Sequence, residues 1–287
     1  MLSYFYINHL LKPMTEMTPP QINNQKLQIQ TWWFTALLIA VNVGLFGWQI
    51  VSGVNITDPS PMDAIAWGAD FTPLTFMGQP ERLFTSMFFH FGLIHLMLNM
   101  WALYIFGNVA EQLFGRLYYI GMYVLAGLMG SVLSSYLTIR DGYELLQHFD
   151  RLAGLQSSLI PHISAGASGA VMGLGAALTV ISLFPPLPQQ RFWLDKKSLL
   201  MVMAINLVFG FTVAGINNAA HIGGMMMGAL LAGAWYLGEK IQKPALIQIG
   251  ALIIGTVLLA AFYFYCTELS TGLDPLWNEI LRQNQLS

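Results

Sequence analysis

Two positions in this chain carry the side chains that acyl transfer needs. Ser168 sits in Gly166-Ala167-Ser168-Gly169, with Gly173 and Gly175 beyond it, so small neighbours leave its hydroxyl open to a substrate. A serine hydroxyl is a weak nucleophile until a base takes its proton. His221, in Ala219-Ala220-His221-Ile222-Gly223-Gly224, can be that base. Gly224 and Gly228 make a small-xxx-small face, which would let the helix carrying His221 pack directly on the one carrying Ser168. His221 lies one turn before Gly224 on that face, so the imidazole is aimed at whichever helix the glycines admit. His95 and Asn99 stand four apart and share one helix face. An imidazole N–H and an asparagine amide can hold the negative charge that develops during acyl transfer, and the Ser168 backbone N–H is a third donor. His90 is five residues from His95, hence turned well away from it on a helix, with a supporting or water-handling part.

Each feature also has a plainer reading. A serine among glycines commonly serves packing, a membrane histidine commonly donates a structural hydrogen bond, and His95 with Asn99 can bond across helices. Three histidines can ligate a metal, but no Cys, Asp or Glu stands beside them, so no metal and no cofactor are expected. No carboxylate lies near His221 in sequence or deep in any apolar segment. That favours a Ser–His dyad over a triad and argues against an aspartyl protease, while the lack of His-Glu-x-x-His weakens a zinc protease reading.

The elements that must position these residues follow from composition. Of 287 residues, 55% are hydrophobic and 9% charged, against about 25% charged in soluble domains. Such a chain is solvated by lipid, so a polytopic membrane protein is expected. The net charge of −2 gives nucleic-acid binding no support. The single cysteine, Cys266, excludes an intramolecular disulfide.

Seven apolar segments are long enough to cross a bilayer as helices, at about 32–52, 88–108, 117–138, 164–184, 198–214, 219–238 and 245–266. Loops at 53–87 and 139–163 separate them, the second solvent-facing by its Arg140, Asp141, Glu144, Asp150 and Arg151. With the N-terminus inside, the inner flanks hold Lys12, Lys26, Arg116, Arg191, Lys196, Lys197, Lys240 and Lys243, and the outer ones Arg82, Arg140, Arg151 and Arg282. The bias favours a cytoplasmic N-terminus. The second, fourth and sixth spans then all run inward and carry most of their polar residues near their starts, with Asn99 nearer the middle. Ser168 would lie about four residues, ~6 Å, inside its span.

The ordered set of motifs resembles the rhomboid proteases, from about Trp67 to Leu237. It comprises Arg82-Leu83-Phe84-Thr85-Ser86-Met87-Phe88-Phe89-His90, Ile94-His95-Leu96-Met97-Leu98-Asn99-Met100, Phe106-Gly107 with Glu111, Gly115-Arg116, Gly166-Ala167-Ser168-Gly169, and Ala220-His221-Ile222-Gly223-Gly224. The resemblance implies an all-α polytopic membrane helix bundle, a six-helix core with a seventh helix at the C-terminal side. It implies Ser168 as nucleophile, His221 as general base, and His95 and Asn99 as oxyanion donors. Arg82 and Glu111 map onto structural polar positions. Two residues depart from the pattern: Glu81 stands where many members carry Trp, and Met172 where an aromatic often stacks on the imidazole.

The expected organisation is a cytoplasmic tail over 1–30, a catalytic membrane core over 31–240, and an added helix and tail over 241–287. The expected activity is hydrolysis of a peptide bond in or beside a transmembrane helix near the outer face. Its partners are transmembrane protein substrates and the lipid bilayer, in a bacterial inner membrane. A catalytically silent rhomboid-like binder of membrane helices is the main rival, which the intact Ser168 and His221 oppose. A transporter would instead show carboxylates or broken helices at the midplane.

Overall fold

The computed structural model describes residues 32–148, 161–187, 194–212 and 217–286. The expected tail over 1–30 lies outside them. Each of the seven apolar segments contains a helix. After α1 (Trp33–Val51) come three short helices, α2 (Pro61–Ala66), α3 (Thr72–Phe76) and α4 (Arg82–Thr85). The long helices then follow as α5 (Leu93–Phe114), α6 (Arg116–His148), α7 (Ser168–Leu183), α8 (Lys196–Thr212), α9 (Asn218–Lys240) and α10 (Pro244–Ser270), with α11 (Asp274–Gln283) last. Among the described residues, five stretches are long and apolar enough to cross a membrane: α1, α5, α6, α9 and the run beginning with α10. Helix α7 is as apolar but has only 16 residues.

Helix α7 is short because it is central. Twelve of its residues are buried, and it packs against α5, α6, α8 and α9, most extensively α9. Its glycines permit that approach. A Cβ at Gly224 would stand 2.0 Å from the Gly169 carbonyl oxygen, and one at Gly228 2.0 Å from that of Gly173. The small-xxx-small face therefore meets backbone with backbone. Helix α6 holds the other side of α9, where the Tyr118 hydroxyl donates to the Leu231 carbonyl at 2.7 Å. Helices α1 and α10 are peripheral, and their apolar residues face outward.

Two boundaries differ from expectation. Residues 139–148, read as loop from their charge, continue α6 to 33 residues, about 50 Å at 1.5 Å per residue. That exceeds the ~30 Å hydrocarbon core, so its charged end belongs in water, where Arg140 pairs with Glu144 one turn on. The C-terminal tail folds as the amphipathic α11, whose Leu276, Trp277, Ile280 and Leu281 bury against Phe71, Leu83, Ile139 and Leu273. The segment between α1 and α5 is pinned at two points. Its β1 (Asp70–Phe71) pairs antiparallel with β2 (Ile163–Ser164), just ahead of α7. Arg82 donates to the Ile65 and Ala69 carbonyls at 2.8 and 2.9 Å.

Candidate active site

Ser168, His221, His95 and Asn99 line one cavity of about 530 Å³, whose walls come from α5, α7, α8 and α9. All four sit near the start of their helices, so α5, α7 and α9 deliver them to the same end of the bundle. Ser168 is the first residue of α7 rather than lying a turn inside it. The chain before it is extended through β2 and turns at Gly166, whose φ of +117° suits glycine. Ser168 and His221 are brought together by their neighbours. A Cβ on Gly169 would stand 3.2 Å from the Ala220 carbonyl oxygen, so α7 and α9 touch one residue away from both side chains.

The first turn of a helix has backbone N–H groups without intrahelical partners. No side chain caps α7, and its first helical bond runs from Val171 N–H to the Ala167 carbonyl. Among the described residues the Ser168 N–H therefore has no partner. His95 stands opposite, since a Cβ on Gly166 would meet its Nε2 at 3.0 Å. The Phe91 N–H donates to His95 Nδ1 at 3.2 Å. Nδ1 is thus the acceptor, which puts the proton on Nε2, the nitrogen facing Gly166. Asn99 spends one amide N–H on the His95 carbonyl at 2.9 Å and keeps the other.

His221 is buried, and its Nδ1 has no hydrogen-bond partner among the described residues. No carboxylate orients the ring through that atom. The cavity wall beside it includes Met172, a residue able to touch a ring edge through sulfur.

His90 departs from expectation. It is fully buried with its ring centroid 5.3 Å from that of His95, edge to face, rather than turned away. It precedes α5, which begins at Leu93, so helical spacing does not govern it. Gly166, Gly224 and Gly228 work by proximity. Arg82 and Glu111 lie off the cavity: Arg82 braces backbone, and Glu111 is near the far end of α5. Glu111 accepts from the N–H groups of Phe34 and Thr35 at 3.1 and 2.8 Å and from the Thr35 hydroxyl at 2.8 Å, so it caps α1.

Sequence reasoning missed two residues on the cavity, Asn206 and Asn217. Asn217 had a signal, an N-cap residue directly before an apolar run. The connection between α8 and α9, at 213–216, lies outside the described residues.

A sequence profile described as "Rhomboid domain" matches residues 77–240. The chain is similar to rhomboid protease AarA of Providencia stuartii, 29% identical over 240 residues, covering 80% of this chain and 82% of that one. It is also similar to rhomboid protease GluP of Bacillus subtilis, 30% identical, where 79% of this chain matches 38% of the relative. A third relative is RHOMBOID-like protein 6, mitochondrial, of Arabidopsis thaliana, 36% identical over 52% of this chain and 42% of that one. The chain thus spans most of the first relative and less than half the length of the other two.

Proposed function

This chain belongs to the rhomboid family, and from that membership and the shape of its cavity we propose that it is an intramembrane serine endopeptidase. It is an integral membrane protein. Ser168 attacks the scissile carbonyl, and His221 takes the hydroxyl proton and returns it to the leaving amine. The Ser168 N–H, His95 Nε2–H and the second Asn99 N–H hold the oxyanion. His90 supports His95 from behind.

The observation that carries this reading is the convergence of Ser168, His221, His95 and Asn99 on one cavity at the starts of α5, α7 and α9. Its substrate is a transmembrane segment of another protein. Such a segment must unwind to offer its carbonyl, because helical carbonyls are already bonded. Preference for small residues at the cut and for Gly or Pro nearby follows. The charge bias supports a cytoplasmic N-terminus and a site near the outer face; the proposed setting is a bacterial inner membrane, with 31–240 as the catalytic core.

The test is labelling of the full chain in lipid with a fluorophosphonate, beside cleavage of a transmembrane substrate. Ser168→Ala and His221→Ala should each lose at least ~10⁴-fold in rate while keeping the parent's Tm. Equal cleavage by Ser168→Ala would refute the mechanism. An unlabelled, inert but well-folded parent would favour the binding-only reading.

A further inference from the structure

A dyad has no third member to aim its base, and among the described residues His221 Nδ1 has no partner. Where the imidazole stands must therefore be set by where the first turn of α9 stands. One side chain holds that turn. Asn217 is the N-cap of α9, and its Oδ1 accepts the Ala220 N–H at 3.0 Å. Its own carbonyl accepts the His221 N–H at 3.2 Å. The amide nitrogen donates outward twice, to Ser164 Oγ at 3.0 Å and to Ser134 Oγ. Ser134 belongs to α6, and Ser164 lies in β2, four residues before Ser168. Both serines are buried.

Resting on the Ser168–His221 reading, we infer that Asn217 is a positioning residue: it locks the turn that carries the base to the strand that leads into the nucleophile. All three hydrogen-bonding sites of its amide that face protein are used, so the side chain has a single orientation. The lock extends one residue further along α6. Ser135 donates to Asp70 Oδ2 at 2.9 Å, and Asp70 sits in β1, the strand paired with Ser164. The turn of α9, the approach to α7 and the segment before α5 thus meet on two adjacent serines of α6.

The geometry makes a distinction between substitutions. Alanine at 217 removes the cap and leaves both serine hydroxyls facing an empty position. Aspartate keeps an oxygen for the Ala220 N–H. Its carboxylate also accepts from Ser134 and Ser164, because hydroxyls are donors or acceptors as their rotor turns. Asn217→Asp should therefore rescue what Asn217→Ala loses.

The test uses the full chain in lipid nanodiscs and fluorophosphonate time courses over a range of probe concentrations. For Asn217→Ala the labelling rate at saturating probe should fall ~30-fold, as misplacement of a reacting group by a fraction of an ångström does. The half-saturating concentration and the final labelled fraction should stay at the parent's values. Asn217→Asp should return to within about threefold of the parent, and the Ser134→Ala, Ser164→Ala pair should lose ~10-fold, with Asn217→Ala adding little on top of it. A merely structural part would lower the labelled fraction and leave the rate of the folded molecules unchanged. That result, or parental rates in both Asn217→Ala and the serine pair, overturns the inference. If Asn217→Ala does not fold, the serine pair and Asn217→Asp carry the same test. Ser168→Ala and His221→Ala in the same assay separate the two failures. If they stay silent while the Asn217 and serine variants label normally, only the positioning part falls. If they label like the parent, the dyad falls and the inference with it.

Discussion

The two ends of α5 each bury a polar cluster, and the clusters are built on opposite plans. At the end near Phe114, Glu111 is buried with both oxygens engaged, by Phe34 and Thr35, with Arg116 Nε 3.8 Å away and half exposed. At the Leu93 end, among the described residues, His221 has a bare Nδ1, α7 begins uncapped, and Asn99 uses one of its two amide hydrogens. A buried polar group without partners costs free energy, so a site selected only for stability would resemble the first. Under the proposed function, the difference separates polar residues that hold the bundle together from those held ready for a substrate. The closest backbone contacts, of Gly224 with Gly169 and of Gly228 with Gly173, lie on the two helices that carry Ser168 and His221. With few hydrogen bonds to fix its side chains, that site relies on backbone packing and on Asn217.

The comparison sharpens if the under-partnered end governs rate alone. His95→Ala and Asn99→Ala should each lower kcat by ~10²–10³-fold, the usual effect of losing one oxyanion donor, with KM and Tm close to the parent's. A large fall in Tm instead would move both residues into the structural class. Packing beneath the site is the next lever. Gly224→Ala places a Cβ 2.0 Å from the Gly169 carbonyl oxygen, and α7 and α9 must separate. Its rate should fall ~10²-fold and its Tm should drop as well, since overpacking costs about 1–3 kcal/mol. Gly233→Ala, in the same helix with nothing within 4 Å, should change neither. Equal effects of the two substitutions would show that helix propensity, not approach distance, is what those glycines supply.

How much of this was legible in the sequence depended on which physical rule applied. Apolar length located all seven long helices, because lipid leaves the backbone no other way to satisfy itself. Polar residues inside those segments stood out, and the small-xxx-small spacing of Gly224 and Gly228 named the contact that joins α7 to α9. Three readings missed. Arg140, Asp141 and Glu144 looked like a loop, yet a helix that leaves the membrane carries charge as readily as a loop does. His90 was placed by helical spacing although no helix had begun. The Leu276, Trp277, Ile280 and Leu281 stripe of α11 was passed over as tail, though its spacing is that of an amphipathic helix. The two-residue ladder between β1 and β2 has no sequence signature at all, because its register is set by what surrounds it. Asn217 is an intermediate case: its cap was readable and its two serine partners were not.

The fully partnered end should behave in the opposite sense. Glu111→Ala leaves the first N–H groups of α1 without an acceptor, and hydrogen bonds to a charged group contribute about 1.5–3 kcal/mol each. The expected loss is ~4 kcal/mol of stability, read as a lower Tm. The labelling rate of the molecules that remain folded should be unchanged. A rate defect at constant labelled fraction would mean that the two ends of α5 are coupled and would break the division drawn between them.

Asp70 tests whether partners alone decide which class a buried group falls into. Like Glu111 it is buried with both oxygens engaged, accepting from Thr75 at 2.6 Å and Ser135 at 2.9 Å. Unlike Glu111 it receives hydroxyls only, with no backbone N–H. Burial pushes its carboxyl up from 3.8 to about 6, and the two hydrogen bonds and the Arg82 charge only partly oppose that. A carboxyl raised in this way binds its proton more tightly folded than unfolded. Its contribution to stability is full below the unfolded value near 4 and is lost as pH rises through about 6. The parent should therefore lose up to ~3 kcal/mol between pH 4 and pH 7 from this group. Asp70→Asn, which cannot ionise, should flatten that part of the Tm–pH curve and be the more stable protein at pH 7. If the slope survives in Asp70→Asn, the hydroxyls satisfy the carboxylate as fully as the α1 backbone satisfies Glu111. The division would then rest on the number of partners rather than on their kind.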